Sequence, residues 1–356
     1  MEHIYEAMKI HHVLSGDKSL DALSEDLAEF IRWEMTHPKR RKMIYDKKKF
    51  INCYMWTFSE ITEWFNKNKK PFRYPIFLVE RKETISVKIS LSRDVKSRRK
   101  QHNSMELLST YGNERASHLK NKNEDKTGNH VIYLNTYYLA SKKGVSVLDF
   151  IKSDDFKNEL NGTIGHELMH AFDNGIMKKE AREGVKTMKR IYKDYRADFN
   201  IGKEYVTFDV YGKWNGKKFN PDKDVINNPQ NLRTFYYMLL YYITTTEMNA
   251  YLQTFVNQMI VCGSKDGYDS DIYRRYHFID LVLNTEFDES IISGMIDDRF
   301  RKDFSKAIPK LSSVMKNNDI SLIYRKMNDY FSSFTTKYIK KLNRILYDII
   351  SMNDEE

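Results

Sequence analysis

The spacing of apolar and polar positions changes several times along the chain, and each change predicts a different element. Ser19 to His37 carries Leu20, Leu23, Leu27, Phe30 and Ile31 on one side of a helix, with Pro38 after its end. Tyr45 to Asn68 repeats the helical period through Phe50, Tyr54, Phe58, Ile61 and Phe65, which predicts a second helix. Pro71 and Pro75 then mark a change of regime. Ile76 to Val79 is a short apolar run expected as a strand. Thr84 to Ser92 alternates Ile85, Val87, Ile89 and Leu91 with serine and lysine, the period of a half-buried strand. Ser97 to Thr127 is a polar, basic excursion, and Val131 to Tyr137 is expected to be another strand.

Helical material resumes over Asp149 to Leu160 and leads into a helix beginning near Gly162. Lys178 to Ala197 predicts a basic, exposed helix, and Tyr205 to Phe219, with Asn215-Gly216 as turn residues, predicts a hairpin. Pro221 to Pro229 is expected as a loop. The apolar run Thr234 to Ser264 and the segments Asp271 to Asn284, Ser290 to Phe304, Ile320 to Phe334 and Thr335 to Met352 are expected as helices. Together these predict an α+β protein with a small mixed sheet, a mainly helical lower part and a cleft between them. The expected divisions are an N-terminal helical segment over 1–70, an upper subdomain over 71–224 and a helical lower subdomain over 225–356.

One stretch carries chemistry. Residues 162 to 175 contain His166-Glu167-Leu168-Met169-His170, with Ile164, Leu168 and Phe172 as an apolar stripe and Asn174-Gly175 as a helix stop. Positions four apart lie above one another on a helix, so His166 and His170 can hold one metal between them. Glu167 is then placed to act as a general base toward the metal's open position. The bland alternative is two ordinary histidines on a helix. Ten histidines in 356 residues make a chance His-acid-x-x-His uncommon.

Catalytic zinc takes three protein ligands and keeps one position for water. A histidine six residues after the second is excluded, because position 176 is Ile176, with Asp173 where the spacer glycine would stand. The remaining expectation is a carboxylate from a later helix. Within Thr234 to Ser264 the single charged residue is Glu247, and an ionised carboxylate in such a helix is costly unless it is paired or ligates a metal. Ile243, Glu247, Ala250, Tyr251 and Thr254 share one face. Glu247 is therefore the expected third ligand; pairing with a Lys or Arg, or exposure to water, is the alternative, with Asp173, Glu180 and Glu183 next in line as ligands. Tyr251, Tyr242, His277 and Arg274 are candidate donors to a developing oxyanion. Asp173, seven residues after His166, either orients a ligand or is a helix-end acid bonded to a lysine.

His166-Glu167-x-x-His170 followed far downstream by a helical Glu247 resembles the gluzincin branch of the zincin metallopeptidases. Gly165 to Asp173 is similar to the active helix of neprilysin-type enzymes and of the mitochondrial processing peptidases. Thr246 to Tyr251 resembles the glutamate helix of small peptidases of mobile elements that cleave repressors. Tyr251 stands where many gluzincins have an aspartate, and the resemblance covers two patches of about 25 residues. It implies a zincin-like fold with the active-site helix in the upper subdomain, a zinc cofactor and hydrolysis of peptide bonds in a protein or peptide substrate. An edge strand above the active helix would pair with extended substrate. Val131 to Thr136 is the candidate for it, unless it is a buried strand of the sheet.

Composition limits the alternatives. Hydrophobic content of 41% with 13% aromatic residues is ordinary globular material. No window of 18 apolar residues suits a membrane span, and the N-terminus lacks the basic and apolar regions of a signal peptide. Cys53 and Cys262 lie in helical apolar contexts and are expected as free core thiols, which implies a reducing setting, cytoplasmic or associated with a virus or mobile element. Net charge is +10, with basic clusters at Lys39–Lys42, Lys47–Lys49 and Lys96–Lys100. These either form a solvated face or meet an acidic or nucleic-acid partner. Two functional alternatives to a peptidase stand beside it. One is a structural or interaction protein, such as a virion or mobile-element component, that keeps the fold without turnover. The other is a nucleic-acid-associated protein.

Overall fold

Leu20, Leu23, Leu27, Phe30 and Ile31 are all at most 1% exposed, so the first apolar stripe is fully covered. The structure, a computed structural model, describes residues 19–37, 43–46, 51–80, 84–90, 129–135, 147–153, 160–170, 179–199, 201, 211–215, 219–262 and 270–353. Their fold is α+β. The described residues cluster as two compact units. One is drawn from Met8–Gly175 with Val256–Val261, the other from Ile176–Phe255 and Cys262–Glu356.

The first unit begins with α1 (Ser19–Thr36), as its stripe predicts. Two strands follow where a helix is expected from Tyr45, β1 (Met43–Asp46) and β2 (Ile51–Trp56); α2 begins only at Phe58 and ends at Lys67. The physical reason is a capping box. The Thr57 amide donates to the Glu60 carboxylate at 2.8 Å and the Glu60 amide to the Thr57 hydroxyl at 3.4 Å, which starts the helix there. Upstream, β2 satisfies its backbone by pairing antiparallel with β1 and with β3 (Thr84–Ser90). Cys53 accordingly stands in a strand, not a helix. Ile76–Glu80 is likewise a short helix, α3, rather than a strand. The Leu78 and Val79 amides bond the Pro75 carbonyl at 3.1 and 3.3 Å, and a five-residue apolar run carries no period that separates the two states.

The sheet order is β1-β2-β3-β4, with β4 (Asn129–Asn135) parallel to β3 and last in the order. Ile85, Val87 and Ile89 of β3 are buried, as their alternation requires. A parallel pair needs a crossover of about a dozen residues or more; the polar stretch Ser97 to Thr127, outside the described residues, lies in that connection. Helix α4 (Val147–Lys152) follows, and residues 160–170 form α5. Around α1 the packing is aromatic. Phe30 meets Trp56 at 5.8 Å and Trp64 at 5.6 Å, both edge to face, the favourable arrangement for ring quadrupoles.

The second unit opens with α6 (Lys179–Asp198), a basic helix but not an exposed one all round: Ile191, Tyr192 and Tyr195 are buried. Strands β5 (Gly212–Trp214) and β6 (Phe219–Pro221) pair antiparallel, a hairpin at the end of the predicted segment that runs two residues past it; Tyr205 to Val210 lies outside the described residues. Gly212 is required there, because an added Cβ would lie 2.2 Å from the Asn220 carbonyl oxygen. The expected loop after Pro221 holds a short helix, α7 (Lys223–Ile226). The apolar run that follows is two helices, α8 (Pro229–Tyr242) and α9 (Thr245–Cys262). From Phe235 to Leu240 every residue of α8 is at most 1% exposed, which marks a central helix surrounded on all sides.

Beyond α9 come α10 (Asp271–Leu283), α11 (Glu289–Met295), α12 (Asp298–Ala307), α13 (Ser312–Met315) and α14 (Ile320–Asn353). The segment expected as one helix over Ser290 to Phe304 is divided between α11 and α12, where the Asp297 side chain caps the Phe300 amide at 2.7 Å. The two helices expected after Ile320 are one. Helix α6 packs on α8 and α12, and α10 packs on α14. Tyr195 and Tyr237 stack at 3.6 Å, and Tyr237 donates to Asp303 at 2.8 Å. Among the described residues, no helix is long and apolar enough to cross a membrane. The three basic clusters lie outside the described residues.

Phe30→Ala should lower unfolding free energy by about 3–5 kcal/mol, since it empties the centre of an aromatic cluster. Val79→Ser, at a 60% exposed position, should change it by less than about 0.5 kcal/mol. Urea denaturation of the two variants checks this; equal effects would place Phe30 outside the core.

Candidate metal centre

Helix α5 is positioned by its apolar side. Leu160, Ile164 and Leu168 are at most 2% exposed, which turns the next face, with His166 and His170, to a half-buried position. The two imidazoles lie one turn apart, 4.8 Å between ring centroids and with ring planes at 90°. Glu167, between them in sequence, is 7% exposed. Phe172, Asp173 and the Asn174-Gly175 stop lie outside the described residues.

Glu247 owes its position to the break between α8 and α9. Ile243 to Thr246 is a run of β-branched residues, poor helix formers whose hydroxyls compete for the backbone. The Thr244 hydroxyl donates to the Tyr241 carbonyl at 2.9 Å, and the Met248 amide to the Thr244 carbonyl at 2.9 Å, so a new helix starts. Glu247 thereby falls in the first turn of α9, where the helix dipole favours a carboxylate. Its side chain is 1% exposed. Oε1 accepts from the Lys189 ammonium of α6 at 2.5 Å. This contact is the pairing with a lysine that stands beside metal ligation as a role for Glu247.

One turn further on, Tyr251 meets Tyr242 with 5.9 Å between ring centroids, and the Arg275 guanidinium lies 4.7 Å from the centre of each ring. Burial pushes the Tyr251 hydroxyl well above the ordinary tyrosine value, and the charge of Glu247 adds to this while Arg275 opposes it. The phenol therefore stays protonated and is a hydrogen-bond donor at neutral pH. Sequence inspection missed Lys189 and Arg275. Arg275 follows Arg274 on α10, and its phase becomes legible only once the helix start at Ser270 is known; Lys189 sits in a helix whose composition suggests exposure.

Among the described residues, one group of histidines and acids could hold a metal ion: His166, His170 and Glu247, with one ligand atom of each lying within 4.8 Å of the others. Tetrahedral zinc with bonds of about 2.0–2.2 Å keeps ligand atoms roughly 3.3 Å apart. Two imidazoles and a carboxylate suit zinc in both charge and softness. Glu180 and Glu183, the reserve ligands, are exposed on α6, and Glu183 pairs with Lys186 at 3.0 Å.

His277 lies on α10, two residues beyond Arg275. Its ring lies 4.3 Å from Tyr273 and 6.4 Å from Trp214, centroid to centroid, and among the described residues its buried Nε2 has no hydrogen-bond partner. The α10 side chains coupled to Tyr251 are Arg275 and Tyr276. Comparison of the chain with protein-family models, with curated proteins and with solved structures finds no match in any of the three.

Burial pushes the His277 imidazole below its ordinary value of 6.5, with Asp280 opposing. The unfolded chain then binds this proton more readily than the folded one, so the contribution is whole above pH 6.5 and is lost as pH falls toward the folded value. Urea midpoints measured from pH 7.5 down to pH 5 should fall less steeply for His277→Phe than for wild type. Parallel profiles would mean that the folded protein protonates this histidine freely.

Proposed function

We propose that this chain is a zinc-dependent metallopeptidase on a zincin-like fold. The observation that carries the proposal is the grouping of His166 and His170 with Glu247, distant from them in sequence, with Glu167 buried on the same helix as the histidines. His166 and His170 would hold zinc as neutral imidazoles and Glu247 as a carboxylate. Zinc held by these residues would supply polarisation of the scissile carbonyl and a water made nucleophilic near neutral pH. Glu167 accepts the proton of the attacking water and passes it to the leaving amine. Tyr251, whose proton is retained by burial, is the donor best placed beside Glu247 to meet negative charge on the carbonyl oxygen. A protein or peptide is the corresponding substrate.

The Lys189–Glu247 pair favours a second reading, in which Glu247 is a structural charge and the chain is an interaction protein without turnover. Metal analysis separates the two. Wild type should carry about one zinc per chain, the number one tetrahedral group holds, and His166→Ala/His170→Ala should carry none. Stoichiometric zinc retained by the double variant would sink the assignment.

Glu167→Gln should keep both zinc and melting temperature while peptide hydrolysis falls by roughly 10² to 10⁴, the usual worth of a general base. The check is a peptide-library cleavage assay beside metal analysis of the same preparation. Loss of zinc in Glu167→Gln would make Glu167 a ligand instead.

A further inference from the structure

Glu247 and Lys189 are 58 residues apart in sequence, and their contact brings a second charge to a carboxylate that is 1% exposed. The two partners differ in access to water. Lys189 keeps 25% of its side chain exposed, on a helix where Lys186, Arg190 and Lys193 face solvent. Its ammonium also lies 5.3 Å from the centre of the Tyr241 ring. We propose that Lys189 is the counter-ion that holds Glu247 ready in the metal-free protein and gives the carboxylate up when zinc binds. This rests on the assignment of Glu247 as a ligand and adds a competitor to it.

The charges decide the direction. Two neutral imidazoles, the Glu247 carboxylate and a dication sum to +1, and the Glu167 carboxylate brings the site to zero; retaining the ammonium on Glu247 sets it against the dication and leaves the site at +1, with the Arg275 guanidinium against the Tyr251 ring one turn away. Like charges a few ångströms apart repel strongly where water is excluded. A lysine can relieve this without unfolding, because its long stem stays packed while the head moves into water. Glu247 cannot, since its side chain is 1% exposed. Before zinc arrives the same contact is stabilising, because an uncompensated buried carboxylate is among the costliest groups a core can hold. Lys189 is thus a positioning residue: it keeps Glu247 in place in the empty site, at the expense of zinc affinity.

The test is zinc titration of the full chain against a chromophoric chelator, with thermal melts in excess chelator. Lys189→Met removes the charge and keeps most of the stem. Its zinc dissociation constant should tighten at least about tenfold, while its melting temperature in chelator falls below that of wild type. Lys189→Arg, which retains the charge, should stay near wild type in both measurements. If Lys189→Met does not fold without metal, the double variant Lys189→Met/Glu247→Gln should recover the chelator-treated melt, because it leaves no charge to compensate; failure of that recovery would overturn the counter-ion role. Unchanged or weaker zinc binding by Lys189→Met, with wild type binding normally, would overturn the competition and leave the metal assignment standing. Wild type that takes up no zinc at all would remove both.

Discussion

A carboxylate buried to 1% exposure in an apolar helix has to be compensated, and much of the second unit is arranged around that requirement. Helix α9 starts where the Met248 amide first bonds the Thr244 carbonyl, and the start puts Glu247 where the helix dipole helps. Helix α6 turns its Ile191 and Tyr192 face inward, and the same packing brings Lys189 to the carboxylate. An ion pair of this kind adds little net stability over a well-packed apolar pair of similar volume, yet breaking it is expensive.

Tyrosine supplies the core around it. Tyr195, Tyr236, Tyr237 and Tyr276 are at most 0% exposed, and each hydroxyl finds a partner: Gln230 donates to Tyr195, and the other three reach Asn328, Asp303 and the Tyr242 carbonyl. Each ring buries a large apolar area while its hydroxyl ties together elements far apart in sequence. The cost of this design is that every hydroxyl needs its acceptor or donor in place. Such a core is specific in its packing, and it places protonated phenols near the buried Glu247.

Where sequence pattern and structure diverge, the reason is the range of the deciding contact. Ser19–Thr36 was legible because its stripe is internal to the helix. The alternation of Thr84–Ser90 was legible for the same reason in a strand. Met43–Trp56 was not: its aromatics fit a helical period, but the strands exist because β3 pairs with β2 across the register Cys53↔Ser90, a partner no local pattern contains. The divided helix at Ile243–Thr244 lay within reach, since four β-branched residues in succession are a poor helix interior. The uniform apolarity of the run concealed it.

The sequence alone determined that His166 and His170 share a helical face with Glu167 beside them, because one turn of helix sets that geometry whatever surrounds it. It also singled out Glu247, as a charge with no local partner in an apolar run. Tertiary structure alone decided which groups meet that charge, with Lys189 on one oxygen and Arg275 against Tyr251 one turn along. Those choices depend on how separate helices rotate and pack against each other. Side chains 58 residues apart acquire a distance only when the chain between them has folded.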